Sequence, residues 1–118
     1  MNLQSDPTQF LLTRVLDATA LRHKVLTQNI ANADTPGFVR QDVKFETELS
    51  NAIREGHVSS FAPSVEADRS ALPRADGNNV SVERELADMS ENALLHQMAI
   101  QLVQTRLALQ RIAITGRM

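Results

Sequence analysis

The chain has 118 residues, with 12 Lys+Arg against 14 Asp+Glu for a net charge of −2, no Cys, Trp or Tyr, and only four Phe. That length makes one domain the default. The absence of Cys excludes a disulfide scaffold and a thiolate metal site, and with no apolar run beyond three residues there is neither a membrane-spanning helix nor a secretory core.

Residues 7–33 read as one long helix. Asp6 is placed to cap it, Pro7 suits the first helical position, and Gln9 completes a capping-box pattern. Steps of four and three mark a seam at Leu12, Leu16, Thr19, His23, Leu26, Ile30 and Ala33. Asp34-Thr35-Pro36-Gly37 ends the helix: Pro36 pushes Thr35 out of the helical region and Gly37 permits a positive-φ turn.

Helix breakers crowd the next stretch, with three of the four Pro and three of the four Gly between residues 36 and 77. The excess negative charge sits there too, because residues 39–79 hold five bases and seven acids whereas both flanks are balanced. From Val39 to Glu46, the odd positions Val39, Gln41, Val43 and Phe45 alternate with Arg40, Asp42, Lys44 and Glu46. This predicts an extended segment with one covered face. Phe45, Leu49, Ala52 and Ile53 then fall at helical spacing, and Gly56 stops a short helix. Residues 57–79 read as loop, with room for a short hairpin.

The last element is a longer helix over 82–114, about 50 Å at 1.5 Å per residue. Ser81 is its N-cap and Gly116 its stop. Its seam runs Val82, Leu86, Met89, Ala93, His96, Ile100, Val103, Leu107, Gln110, Ile114. The predicted fold class is therefore mainly α: long N- and C-terminal helices in an antiparallel coiled-coil hairpin, with a short irregular, partly β middle segment. Residues 1–35 and 80–118 together form one coiled-coil domain, and 36–79 form the middle segment of extended strand, short helix and loop. With Ala33 level with Val82, Leu26 meets Met89 and Thr19 falls opposite His96.

Asn92 to Thr105 contains no charged residue. A second apolar stripe, Leu95, Met98, Leu102, Leu109 and Ile112, lies roughly 100–130° around the helix from the first. A helix that is apolar on two faces needs neighbours on two sides, and this chain has few elements to supply them. These five residues are thus candidates for packing between subunits, in a homo-oligomeric assembly. A four-helix dimer, such as a cytosolic adaptor or export chaperone, would also bury two stripes.

Little points to chemistry. The three His are far apart in sequence and form no HxxE or HxxxH pair, so no metal site is expected. There is no nucleophile elbow, Walker-type loop or GxGxxG, and the scattered bases lack aromatic neighbours for nucleic acid. The expectation is no enzyme, no catalytic residue, no cofactor and no small-molecule substrate.

One run stands out: Gln28-Asn29-Ile30-Ala31-Asn32-Ala33-Asp34-Thr35-Pro36-Gly37-Phe38. Two Asn in the last helical turn can bond free carbonyls or a neighbouring backbone, and Phe38 can anchor the returning chain. This run resembles the N-terminal motif of the bacterial flagellar rod and hook family, in the Ala-Asp-Thr-Pro-Gly variant of its proximal rod members. Asp76-Gly77-Asn78-Asn79-Val80, followed by Glu83-Arg84-Glu85 and Glu91-Asn92-Ala93-Leu94, is similar to the family's lead-in to its C-terminal helix. The resemblance covers about residues 24–45 and 76–114. It implies a structural, torque-transmitting subunit of the periplasmic rod, pairing its terminal helices in a helical tube. It implies export through the flagellar type III apparatus without a cleaved signal peptide. It also implies other rod proteins and a membrane-ring adaptor as partners. By motif match, Asn29, Asn32, Asp34, Thr35, Pro36, Gly37 and Phe38 would shape the helix-to-middle turn and its subunit contacts.

Overall fold

The computed structural model describes residues 7–116, so the cap expected at Asp6 lies outside the described residues. Helix α1 spans Pro7–Ala31, strand β1 Gln41–Lys44, helix α2 Glu46–Glu55, a 3-10 turn Val58–Ser60, strand β2 Ser64–Ala67, and helix α3 Val82–Thr115. The chain is thus mainly helical, with a small antiparallel sheet in its middle.

The helix ends follow local chemistry. Ser81 accepts a side-chain hydrogen bond from the Arg84 backbone at the start of α3, and Gly116 closes it in the left-handed conformation. Gly56 ends α2 in the same way, its N–H donating to Ala52 and Ile53 carbonyls. Acids Glu46 and Glu48 in the first turn of α2 and Arg54 in its last oppose the helix dipole.

Helix α1 packs on two sides. One side meets the middle segment: Ala18 and Val25 form the core with Val43, Phe45 and Leu49, and Leu11, Val15, Leu21, Val58, Phe61 and Leu95 close around them. Each large side chain so enclosed contributes roughly 1.5–3 kcal/mol. The other side meets α3. Thr19 carbonyl accepts from Asn92 Nδ2 at 2.8 Å, Thr19 Oγ1 lies 2.6 Å from His96 Nδ1, and Asn29 Nδ2 donates to Glu85 Oε2 at 3.1 Å. Partners descend α3 as they climb α1, so the two helices run antiparallel, and the Thr19–His96 pairing expected from the sequence is present.

The stripe of α3 turned inward is not the apolar seam. Glu85, Met89, Asn92, His96, Ala99 and Val103 are buried or half-buried, at steps of four and three, while Val82, Leu86, Leu107 and Ile114 are exposed. The expected seam is correct at Met89, His96 and Val103, is half-buried also at Ile100 and Gln110, and is turned outward at Val82, Leu86, Ala93, Leu107 and Ile114. The cause is polar pairing. Asn29 and Thr19 on α1 are buried and need partners, and Glu85, Asn92 and His96 supply them.

The middle segment also departs from expectation. Strand β2 pairs back across α2 onto β1, with Gln41 opposite Ala67 and Val43 opposite Val65; the hairpin is not confined to residues 57–79. Side chains stand in for a third strand on the far edge of β1. The Asn29 amide donates to Gln41 O at 2.8 Å and accepts from Gln41 N at 2.9 Å. Arg22, stacked 4.4 Å over the Phe45 ring, donates to Val43 O from two nitrogens at 2.7 and 3.1 Å. The extents are 64 × 30 × 14 Å with a radius of gyration of 18.0 Å. A compact domain of roughly 100 residues has about 13 Å, so this is a thin, elongated body with little interior.

Candidate assembly site

Two segments meet where α1 ends and α3 begins. The chain leaves α1 at Ala31 in a turn that closes the last helical carbonyls of Gln28, Asn29 and Ile30, and side chains from residues 74–79 bond the carbonyls of the turn itself. Asn78 Nδ2 donates to Asn32 O and Thr35 O, both at 2.9 Å, while its oxygen accepts from Val80 N at 2.7 Å. Arg74 donates to Ala33 O and to Val80 O. Gly37 N donates to Asp76 O at 2.8 Å. Gly37 and Gly77 both have positive φ, +75° and +85°, and a Cβ on Gly77 would lie 3.3 Å from Gly37 Cα. The two turns touch backbone to backbone, a Cβ on Gly77 would be crowded there, and both positive φ values favour glycine.

The motif residues divide by role in this geometry. Asn29 is fully buried and binds both β1 and α3. Asn32 donates back to Gln28 O and accepts from Thr35 Oγ1. Phe38 is half-buried and its carbonyl accepts from Asn79 N. Asp34, Thr35, Pro36 and Gly37 lie on the surface of the turn.

Beside this junction lies a buried charge cluster that the sequence did not reveal. Arg40, 1% exposed, is gripped by Glu85 through Nε at 2.6 Å and Nη2 at 3.3 Å, and by Asp68 through Nη1. Asn79 completes it, accepting from Arg40 N at 2.7 Å and donating to Asp68 O at 2.7 Å. Burial opposes the charge on Arg40, but the hydrogen bond and charge of Glu85, the hydrogen bond of Asp68 and the charge of Asp42 outweigh it and hold its pKa above the ordinary guanidinium value. The Asp68 carboxyl sits well below the usual carboxylate range: the Ser70 hydroxyl and backbone N–H donate to it, and Arg40 adds its own hydrogen bond and charge. Strand alternation put Arg40 on the solvent side, and Glu85 stood in the sequence within the Glu83-Arg84-Glu85 run of the resemblance. Asn78 and Asn79 were visible in the sequence only through the resemblance.

The outward stripe of α3 divides as well. Leu95 is half-buried and packs on the chain's own core. Met98, Leu102 and Leu109 are 60%, 53% and 60% exposed, and Ile112 is exposed too. The histidines do not converge: His57 pairs with Glu55 on the surface, His23 is exposed, and His96 holds Thr19. This arrangement joins and presents helices.

Comparison with known proteins agrees. Residues 14–38 match a family model described as Flagella basal body rod protein. The chain is 33% identical over 114 residues to the flagellar basal body rod protein FlgB of Aquifex aeolicus, covering 91% of this chain and 92% of that one. It is 32% identical over 105 residues to FlgB of Escherichia coli K12, covering 72% and 76%, and 31% identical over 109 residues to FlgB of Borrelia hermsii, covering 75% and 81%.

Proposed function

The chain belongs to the FlgB-type flagellar basal-body rod proteins, structural components and not enzymes, and we propose that it polymerises through its terminal helices to link the membrane ring to the rod and transmit torque. In this reading residues 1–35 and 80–118 act as one coiled-coil domain, with 36–79 as an appendage. The turn formed by Asn29, Asn32, Asp34, Thr35, Pro36, Gly37 and Phe38 aims that appendage and contributes subunit contacts. Copies of the chain, other rod proteins and a small membrane-ring adaptor are its neighbours. It reaches the periplasmic rod through the type III apparatus, without a cleaved signal peptide.

One observation carries the reading. Met98, Leu102 and Leu109 stand half or more exposed on the outer face of a helix whose inner face is already packed. Exposed aliphatic residues in such a row mark a surface for association, and Leu95 anchors that face to the body of the chain. Deletion in the source bacterium is the test. Basal bodies imaged from the deletion strain should keep the membrane ring and lose the rod beyond it; intact rods would overturn the proposal.

A further inference from the structure

We propose, resting on the assembly reading above, that Arg111 of one copy docks into an acidic groove on the next, so that copies join head to tail. The groove lies between α1, β1 and α3. Its wall carries the carboxylates of Asp42, Glu46, Asp88 and Glu91 against the single guanidinium of Arg22. Arg22 is already held by Glu46 at 2.8 Å. Arg40 approaches Asp42 and Asp88 only at 4.0 and 3.8 Å, and Arg84 comes to 3.9 Å from Asp88. Glu91 is exposed and forms no ion pair among the described residues.

A second, independent feature points to a donor-rich ligand. Asn92 lies between this groove and the cleft beside Thr19, His23 and His96, lining both, and is 3% exposed. Its amide nitrogen is committed to Thr19 O, and its oxygen has no hydrogen-bond partner. An orphaned buried acceptor costs roughly 1–3 kcal/mol. Carboxylates beside a free amide oxygen suit a planar guanidinium, with its fork of donors, better than a compact ammonium. The apolar Leu26 and Leu95 also line the groove, so the cation should come with aliphatic neighbours.

The chain carries such a group. Arg111 is exposed and makes no side-chain hydrogen bond or ion pair among the described residues. One helical turn to either side stand Leu107 and Ile114, both exposed. Lys24 on α1 is also exposed, but has Ala20 and Gln28 in those places. Arg111 is 23 residues beyond Asp88 on one continuous helix, about 35 Å away, so it cannot reach the groove of its own copy. A contact between two different patches is heterologous and propagates into a ring or a helix of copies.

The chain has no native Cys, which makes the test clean. Copies bearing Arg111→Cys and copies bearing Glu91→Cys are expressed together in the source bacterium and treated with a short bismaleimide. That reagent is needed because an Arg–Glu pair holds its Cβ atoms too far apart for a disulfide. A linked heterodimer should form in basal bodies of swimming cells, and several-fold less should form when Lys24→Cys replaces Arg111→Cys. No heterodimer in swimming cells, or a link from Glu91→Cys to a different protein, overturns the docking while leaving rod membership intact. Rods that survive deletion would instead overturn the membership reading. If the cysteine copies do not swim, Arg111→Glu and Glu91→Arg should each impair swimming and restore it when combined in one chain; failure to restore overturns the docking.

Discussion

Arg40 carries a full charge where water does not reach, and its value to the fold depends on both carboxylates beside it. Replacing it with Met would leave buried Glu85 without a cation and Asp68 with only Arg84, 3.7 Å away. Breaking a buried pair in this way costs about 3–5 kcal/mol, and urea denaturation of Arg40→Met should show a loss of that order. Adding Glu85→Met should recover part of it, since removing both charges is cheaper than stranding one. Asp68 adds a pH signature. Its folded pKa is depressed, chiefly by Ser70 and then by Arg40. Its contribution is therefore complete above the ordinary Asp value of about 3.9 and fades as pH falls below it. The urea midpoint of the native chain should drop on acidification through that range, and Asp68→Asn should drop less. Equal acid sensitivity in the two would show that Asp68 is not one of the titrating groups.

At the scale of the element, the turns between α1 and α3 separate two effects of glycine. Gly37 has positive φ but open space around its Cβ position, so Gly37→Ala meets only the backbone penalty, about 1–2 kcal/mol. Gly77→Ala meets the same penalty and also crowds Gly37 Cα at 3.3 Å. Thermal melts should rank Gly77→Ala as the more damaging; the reverse order would mean the two turns do not touch in solution. This junction also marks the limit of what was readable in sequence. Caps and stops at Ser81, Gly56 and Gly116 were legible because each acts on neighbours within a turn or so. Strand β2 was not, because its partner lies across α2. Nor was the burial of Arg40, because alternation describes one sheet face while α3 covers the other with Glu85. The inward stripe of α3 was misplaced because hydropathy ranks leucines above asparagines, whereas the interface is oriented by the polar groups that must be paired.

The whole molecule is a slab 14 Å thick in its smallest dimension, with its apolar core gathered between α1 and the middle segment. Little of that core extends to the distal half of α3, where the described residues beyond Ala99 are half-buried or exposed. Two consequences separate folding from assembly. Met98→Gln combined with Leu102→Gln alters side chains that are already in water, so the urea stability of the isolated chain should move by no more than about 0.5 kcal/mol. The same pair removes the aliphatic face that a neighbouring copy would cover, so rods should fail to form and swimming should stop. A large loss of stability in the isolated chain would instead mean that this face is packed within one copy. Unchanged swimming would mean that it faces no neighbour. Association should also stabilise the folded form by mass action. The melting temperature of the native chain should therefore rise with protein concentration, and that rise should vanish in the double variant.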